Sequence, residues 1–348
     1  MKIAKWKIKY DRIDPHTKDP GLMRARKQLE KKRPRRRSNV KYWSEGQFRT
    51  LIEAGPAKLA SSSMIPYQVL IYLLTRTGTL HEVHDFLDKR FNTPDRIEGF
   101  HKQLDHMIAN LAALGYLTRS EDGDHIELRE SLHELSGFRS VDPLYGAFLA
   151  KQLSRGSLQE KLQALESVLP LPPALGRRTS LPEELVPGPL QTEVLEPELL
   201  RRGLLFVNDE GCLVQPATEE EYEDHWAEDK PPHTPCVAEM LKIMFDAKLE
   251  TPEDIRVEPR WAAGGIFDYG DDFYKFVQNR DLVKNEGLIL RHLLRLVILT
   301  GEFRERSDDD PDYAAIAERI TEICTHVDRR YTDHFLADQE KVRAMDKL

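Results

Sequence analysis

Long hydrophobic runs are missing from this sequence. The most apolar stretches, Met64–Leu74 and Leu293–Thr300, fall well short of the ~18 residues that cross a bilayer, so no membrane partner is expected. The basic N-terminus meets Asp11 and Arg12 where a secretory signal needs its apolar segment. Cysteine is scarce. Cys212, Cys236 and Cys324 are too few and too scattered for a disulfide framework, which points to a reducing, cytoplasmic setting.

Catalytic signatures are missing too. There is no Gly-x-x-x-x-Gly-Lys-Ser/Thr to cradle phosphates, no Gly-x-Gly-x-x-Gly after a strand, and no Gly-x-Ser-x-Gly elbow. His81-Glu82-Val83-His84 places its histidines three apart rather than four and finds no third ligand, so both read as surface residues. Cys212, His225, His233 and Cys236 lack the tight pairs of a structural zinc site and read as loop residues. Asp271-Asp272 and Asp308–Asp310 fall at helix starts or turns, where capping accounts for them. No catalytic residue, metal ligand or cofactor is therefore assigned to this chain.

What is present is a divided charge. Residues 1–49 carry 17 Lys/Arg against 5 Asp/Glu, a net of +12, whereas the rest carries 34 against 54, a net of −20. A basic arm on an acidic body suits a nucleic-acid partner, or an arm that docks on its own body. The arm is densest between Arg24 and Arg37, where nine basic residues accompany one acid, Glu30, and Pro34 interrupts any helix. It reads as an extended connector, with the alternation of Ile3, Ile8 and Tyr10 suggesting an edge strand.

With 348 residues the chain has room for two or three domains. Ser44 caps an expected helix through Phe48, Leu51 and Ile52. Helices follow at 64–77, ending at Gly78, and from Thr79 to about Arg90, with Leu80, Val83, Phe86 and Leu87 as stripe. Another starts at Thr93-Pro94 and ends at Gly115. Two short alternating segments then flank Asp122-Gly123, a hairpin signal. Three helices and a hairpin predict a winged helix. Two helices broken near Gly156 occupy 140–169. A proline-rich stretch follows, with the acidic run Glu219–Asp224 and a small hairpin around Asn208–Gly211. Helices resume at 235–248, 270–281, 283–303, 311–329 and 331–346. The expected fold is mainly α. It comprises a basic connector (1–42), a winged-helix domain (43–135), a helical segment (136–175), a proline-rich acidic irregular crossing (176–234) and a C-terminal helical-bundle domain (235–348).

Four phrases together resemble one family: Tyr42-Trp43-Ser44-Glu45 with Phe48, Leu51 and Ile52; Asp142–Gly146 with Leu162–Val168; Trp261-Ala-Ala-Gly264 with Phe267 and Gly270–Lys275; and Asn285-Glu-Gly287-Leu-Ile-Leu-Arg291-His-Leu-Leu-Arg295. They resemble the region after the motor in bacterial DEAD/DEAH-box helicases of the superkiller/exosome-helicase class, over about residues 40–330. The resemblance implies a winged helix followed by a ratchet-like helical domain, and RecA-like motor domains as partners in cis or in trans. ATP and Mg would bind only that motor. None of the ATPase motifs is in this chain, which implies a C-terminal fragment or a separately encoded half.

On that reading the chain is the non-motor half of a superfamily 2 DExH-box-type ATP-dependent helicase, guiding single-stranded RNA or DNA and bracing the motor. The strand-facing residues are Lys275, Arg280, Lys284, Arg291, His292 and Arg295, with Arg35, Arg36 and Arg37 of the connector as auxiliaries. The helix at 283–303 is expected to bury Leu290, Leu293, Leu294, Val297 and Ile298 and to be basic opposite. The alternative is a stand-alone winged-helix nucleic-acid-binding or adaptor protein. Against duplex reading, the helix at 94–114 sets Asp95, Glu98 and Asp105 against Arg96 and Lys102, a poor balance for a major-groove helix.

Overall fold

The computed structural model describes residues 2–32, 44–54, 60–61, 64–120, 125–182, 185–216, 234–249, 252, 255–307 and 310–345. It is mainly helical, with two short two-stranded sheets. The chain divides into two units, Met1–Leu59 and Ala60–Leu348.

The first unit corrects the expectation of an extended arm. Lys2–Asp11 is a helix (α1), and Pro20–Lys31 is a second (α2). Trp6 and Tyr10 stand four apart on one helical face and stack at 5.0 Å, a spacing that the alternating lysines obscure. Trp6 Nε1 donates to Leu29 O at 2.8 Å and the Tyr10 hydroxyl to Glu30 Oε1 at 2.7 Å, clipping α1 to α2. Asp19 caps α2, with Pro20 in its first turn. Arg35, Arg36 and Arg37 lie outside the described residues. The helix α3, Glu45–Glu53, opens on a reciprocal Ser44–Gln47 capping box. It belongs to this unit rather than to the helices that follow. Its apolar residues Phe48, Leu51 and Ile52 are exposed.

The second unit begins with α4 (Tyr67–Thr77), α5 (Leu80–Asp88) and α6 (Pro94–Ala113). Gly78 ends α4 at φ +71, a left-handed conformation that glycine adopts without steric cost. Strands β1 (Leu117–Arg119) and β2 (Ile126–Leu128) pair antiparallel, with Thr118 opposite Glu127. Thr79, between α4 and α5, bridges His125 at the head of β2. The expected turn at Asp122-Gly123 lies outside the described residues. Leu70, Leu74, Val83, Leu87, Leu104 and Ile108 are fully buried between the helices, whereas Phe86 faces solvent. Each buried leucine contributes ~1.5–3 kcal/mol.

After the short α7 (Leu132–Leu135) come α8 (Pro143–Leu153), capped by Asp142, and α9 (Leu158–Ser167). Every residue of α9 from Glu160 to Ser167 is buried, and the side chains of Glu160, Lys161, Glu166 and Ser167 bond different parts of the unit. Glu160 accepts from Ser157 N, Leu190 N and Gln191 N. Lys161 donates to Asp310 and Asp312, both at 2.6 Å. Glu166 accepts from Ala262 N and Ala263 N, and Ser167 Oγ from Arg260 N. Pairing is what makes such burial tolerable, since an unsatisfied buried polar group costs about 1–3 kcal/mol.

Part of the stretch expected as an irregular crossing is helical. After the one-turn α10 (Pro173–Gly176), Leu190–Leu195 forms a π-turn that runs into α11 (Glu196–Arg201). Leu190, Leu195 and Leu199 are fully buried. The apolar positions there are real helix spacing, hidden by Pro187, Pro189 and Pro197. The small hairpin exists as β3 (Phe206–Val207) and β4 (Leu213–Val214), turned by Asn208, whose Oδ1 accepts from Glu210 N and Cys212 N. The acidic run Glu219–Asp224 lies outside the described residues.

Helices α12 (Val237–Asp246), α13 (Ala262–Asp268), α14 (Phe273–Asn279), α15 (Glu286–Arg304) and α16 (Pro311–Met345) complete the unit. Helix α13 is not announced by any periodic signal, because its Ala-Ala-Gly-Gly run carries little apolar pattern. Helix α16 spans both expected C-terminal helices, with Asp328 at φ −151, ψ 91 marking the break between them.

Candidate nucleic-acid interface

Helix α15 carries three of the expected strand-facing residues, and their placements differ. Arg291 is exposed and makes no ion pair among the described residues. Arg295, one turn on, is half-buried, and its Nη1 donates to Pro170 O at 3.2 Å. Burial, and then the charge of Arg291, hold its guanidinium below the ordinary value. The two arginines therefore share one edge of the helix, as their i, i+4 spacing requires.

His292 does not belong to that edge. It is 2% exposed, and its Nε2 lies 3.0 Å from Glu166 Oε1. The same oxygen receives Ala262 N at 2.7 Å and Ala263 N at 2.9 Å, so the imidazole is assigned as donor through Nε2. His292 is a framework residue that binds α15 to α9 and the start of α13, and its assignment to the strand is corrected. The packing of α15 gives the reason. The helix buries Ile289, Leu290, Leu293, Leu294, Leu296, Leu299 and Phe303, while Val297 and Ile298 are only partly covered. The buried arc is wider than a stripe and takes in position 292.

The other expected residues lie upstream. Lys275, on α14, is exposed, with its ammonium 5.8 Å from the Tyr269 ring centroid. Arg280 ends α14, and Lys284 is exposed in the 3₁₀ turn Val283–Asn285. Between them Asp281, at φ +51, pairs with Arg178 at 2.9 Å. Arg178 also donates to Asp281 O. Arg178, from the turn after α10, is thus a basic neighbour that sequence reading missed. The Arg177-Arg178 dipeptide was its only signal.

A groove of about 610 Å³ lies among the start of α4, α6 and the end of α9. Met64–Gln68 and Met107 form one wall, and Ser167–Pro170, Ile255 and Arg256 the other. Pro170, which lines this groove, also accepts from Arg295; Arg291 and Arg295 do not themselves line it. Glu302, buried on α15, bonds the Arg139-Ser140 segment that lines the groove. Its carboxyl accepts from Arg139 N and Ser140 N at 3.2 Å and from Ser140 Oγ at 2.7 Å. The groove has mixed polar and apolar walls, with Arg139 and Arg256 beside Asp142 and Glu258.

Among the described residues no three His, Cys, Asp or Glu side chains gather to hold a metal ion. His225 and His233 lie outside the described residues. Cys236 opens α12 with Glu239 as its capping partner, and burial pushes its thiol up to about 12. His84 turns to His101, with the two Nδ1 atoms 2.7 Å apart, rather than to His81. No family model, curated protein or solved structure matches this chain.

Proposed function

We propose that this chain is the non-motor, C-terminal half of a superfamily 2 DExH-box-type ATP-dependent helicase, and that it guides single-stranded RNA past the Arg291–Arg295 edge of α15. The observation that carries the reading is the contrast along α15. A helix buried on most of its surface keeps two arginines four residues apart on one edge, neither with a carboxylate partner among the described residues, and one of them bonded to Pro170, which lines a groove. Cations placed this way track phosphates.

The order of elements supports the same reading. We take α4, α5, α6 and the β1–β2 hairpin as a winged helix, with the Thr79–His125 bridge as the short third strand that such domains place between their first two helices. It serves as a brace rather than a duplex reader. On α6, Glu98 pairs with Lys102 at 2.7 Å and Asp105 faces Arg119 at 3.8 Å, so its charges are largely spent within the protein. The ratchet-like role falls to α15. ATP and Mg would act on RecA-like domains supplied in cis or in trans, since this sequence has no phosphate-binding motif.

The test is fluorescence anisotropy of labelled oligonucleotides of equal length. The reading expects single-stranded RNA to bind at least tenfold more tightly than duplex DNA, with affinity falling steeply as salt rises. Equal or stronger binding to duplex DNA would favour the stand-alone winged-helix alternative.

A further inference from the structure

A second groove is built from the end of α8, the helix Leu190–Arg201 and the end of α12. It holds about 400 Å³. Its rim carries Arg155, Arg201, Arg202 and Lys248 against Glu193 and Glu198, on a chain whose net charge is −8. The neutralisation is incomplete. Arg201 and Arg202 share the single carboxylate of Glu198, at 2.7 and 2.6 Å. Arg155 and Lys248 have no ion pair among the described residues.

Lys248 is held in place, with its ammonium 4.9 Å from the Phe148 ring centroid. Burial, then the charges of Arg202 and Lys151, keep it below the ordinary lysine value. Cations that raise each other's energy are stabilised together when an anion enters between them.

We propose that this groove binds the phosphates of single-stranded RNA, as a second point of attachment for the strand that α15 guides; it rests on the function proposed above. Three of the four cations are arginines, whose planar fork matches phosphate oxygens in pairs. Val194, Pro197 and Met244 supply apolar floor beneath them. An acidic peptide fits less well. The lining residues stand on helices and helix ends with no sheet edge among them, so an extended peptide finds no strand to pair with, whereas a phosphodiester needs only cations.

The experiment is anisotropy of a fluorescent 20-nucleotide oligouridylate against the full chain, over a salt series. The variants are R155Q/K248Q, which touches no ion pair among the described residues, and R155Q/R201Q/R202Q/K248Q. Both should keep the wild-type melting temperature. The first should weaken binding about threefold or more, and the second about tenfold or more. The slope of log affinity against log salt should fall in step, by about 0.7 for each phosphate no longer neutralised. Wild-type affinity and slope in both variants would overturn the groove while leaving the α15 reading intact. Failure of the wild-type chain to bind the oligomer would overturn both. A polyglutamate peptide that displaces the RNA from the wild-type chain and not from R155Q/K248Q would assign the groove to an acidic protein and overturn the phosphate assignment.

Discussion

Glu166 and His292 stand 126 residues apart in sequence and meet at 3.0 Å in the interior of the second unit, both almost wholly out of solvent. One carboxyl oxygen takes the imidazole and the first two amides of α13 together. Helix α13 has only seven residues and no side-chain cap of its own, so Glu166 serves as that cap from another helix. The same hydrogen bond ties α15 to α9, while the buried arc of Ile289, Leu293, Leu296 and Leu299 sets the edge on which Arg291 and Arg295 emerge.

Removing Glu166 should therefore cost fold before function. E166A leaves two amides and an imidazole unpaired in a dry interior, at about 3 kcal/mol. H292A should cost about 2 kcal/mol, from one lost hydrogen bond and the cavity. Urea unfolding measures both. RNA affinity per folded molecule should stay at the wild-type value in H292A. A tenfold loss of affinity with unchanged stability would return His292 to the strand-facing set.

Lys161 links α9 to the start of α16. Its ammonium lies 5.5 Å from the Tyr313 ring centroid and bonds Asp310 and Asp312. Burial alone would lower its pKa, but the hydrogen bonds to the two carboxylates outweigh burial and leave it raised. A raised lysine contributes stability that is fully present below its unfolded value of about 10.4 and is lost as pH rises through the folded value. K161M should destabilise the chain at pH 7 by about 2 kcal/mol, the cost of two lost hydrogen bonds to partly buried carboxylates. The gap between wild type and K161M should narrow above about pH 10.4. A gap that is constant from pH 7 to 11.5 would show that packing, not the ion pairs, accounts for it.

Gly188 faces the Glu160 carboxyl group closely enough that a methyl there would overlap it. Glu160 would have to release Leu190 N and Gln191 N, the opening of the helix that runs to Arg201. G188A should cost about 1–3 kcal/mol. In G188A/E160A the two losses should be less than additive, because both act through the same carboxylate. Full additivity in a double-mutant cycle would break that link.

The helices α4–α6 are legible in the sequence, because glycines at 78 and 115 and a proline at 94 mark the boundaries of strongly periodic runs, although α4 starts at Tyr67 rather than at Met64. Helix α15 is legible as a helix, and Arg291 and Arg295 as neighbours on it. What sequence could not supply is how wide an arc of α15 the core takes, beyond Leu290, Leu293 and Leu294. Position 292 lies one step from Arg291 and reads as surface by its chemistry alone. Only a carboxylate arriving from α9, 126 residues earlier, makes a buried histidine there tolerable. Prolines hid the helix 190–201 for a related reason. They sit in its approach and its second half, where a π-turn and tertiary burial of Leu190, Leu195 and Leu199 outweigh local propensity. The Trp6–Tyr10 spacing in α1 was outweighed by an alternation that has no sheet to join.

The most direct test of the central reading is R291Q/R295Q, assayed together for melting temperature and for affinity to labelled single-stranded RNA. Arg291 has no ion pair among the described residues and Arg295 gives one hydrogen bond to Pro170 O, so the stability cost should stay below about 1.5 kcal/mol. RNA affinity should fall tenfold or more, with a shallower salt dependence. A large loss of stability with RNA affinity unchanged would make the two arginines part of the internal framework, and the strand-guiding reading of α15 would be wrong.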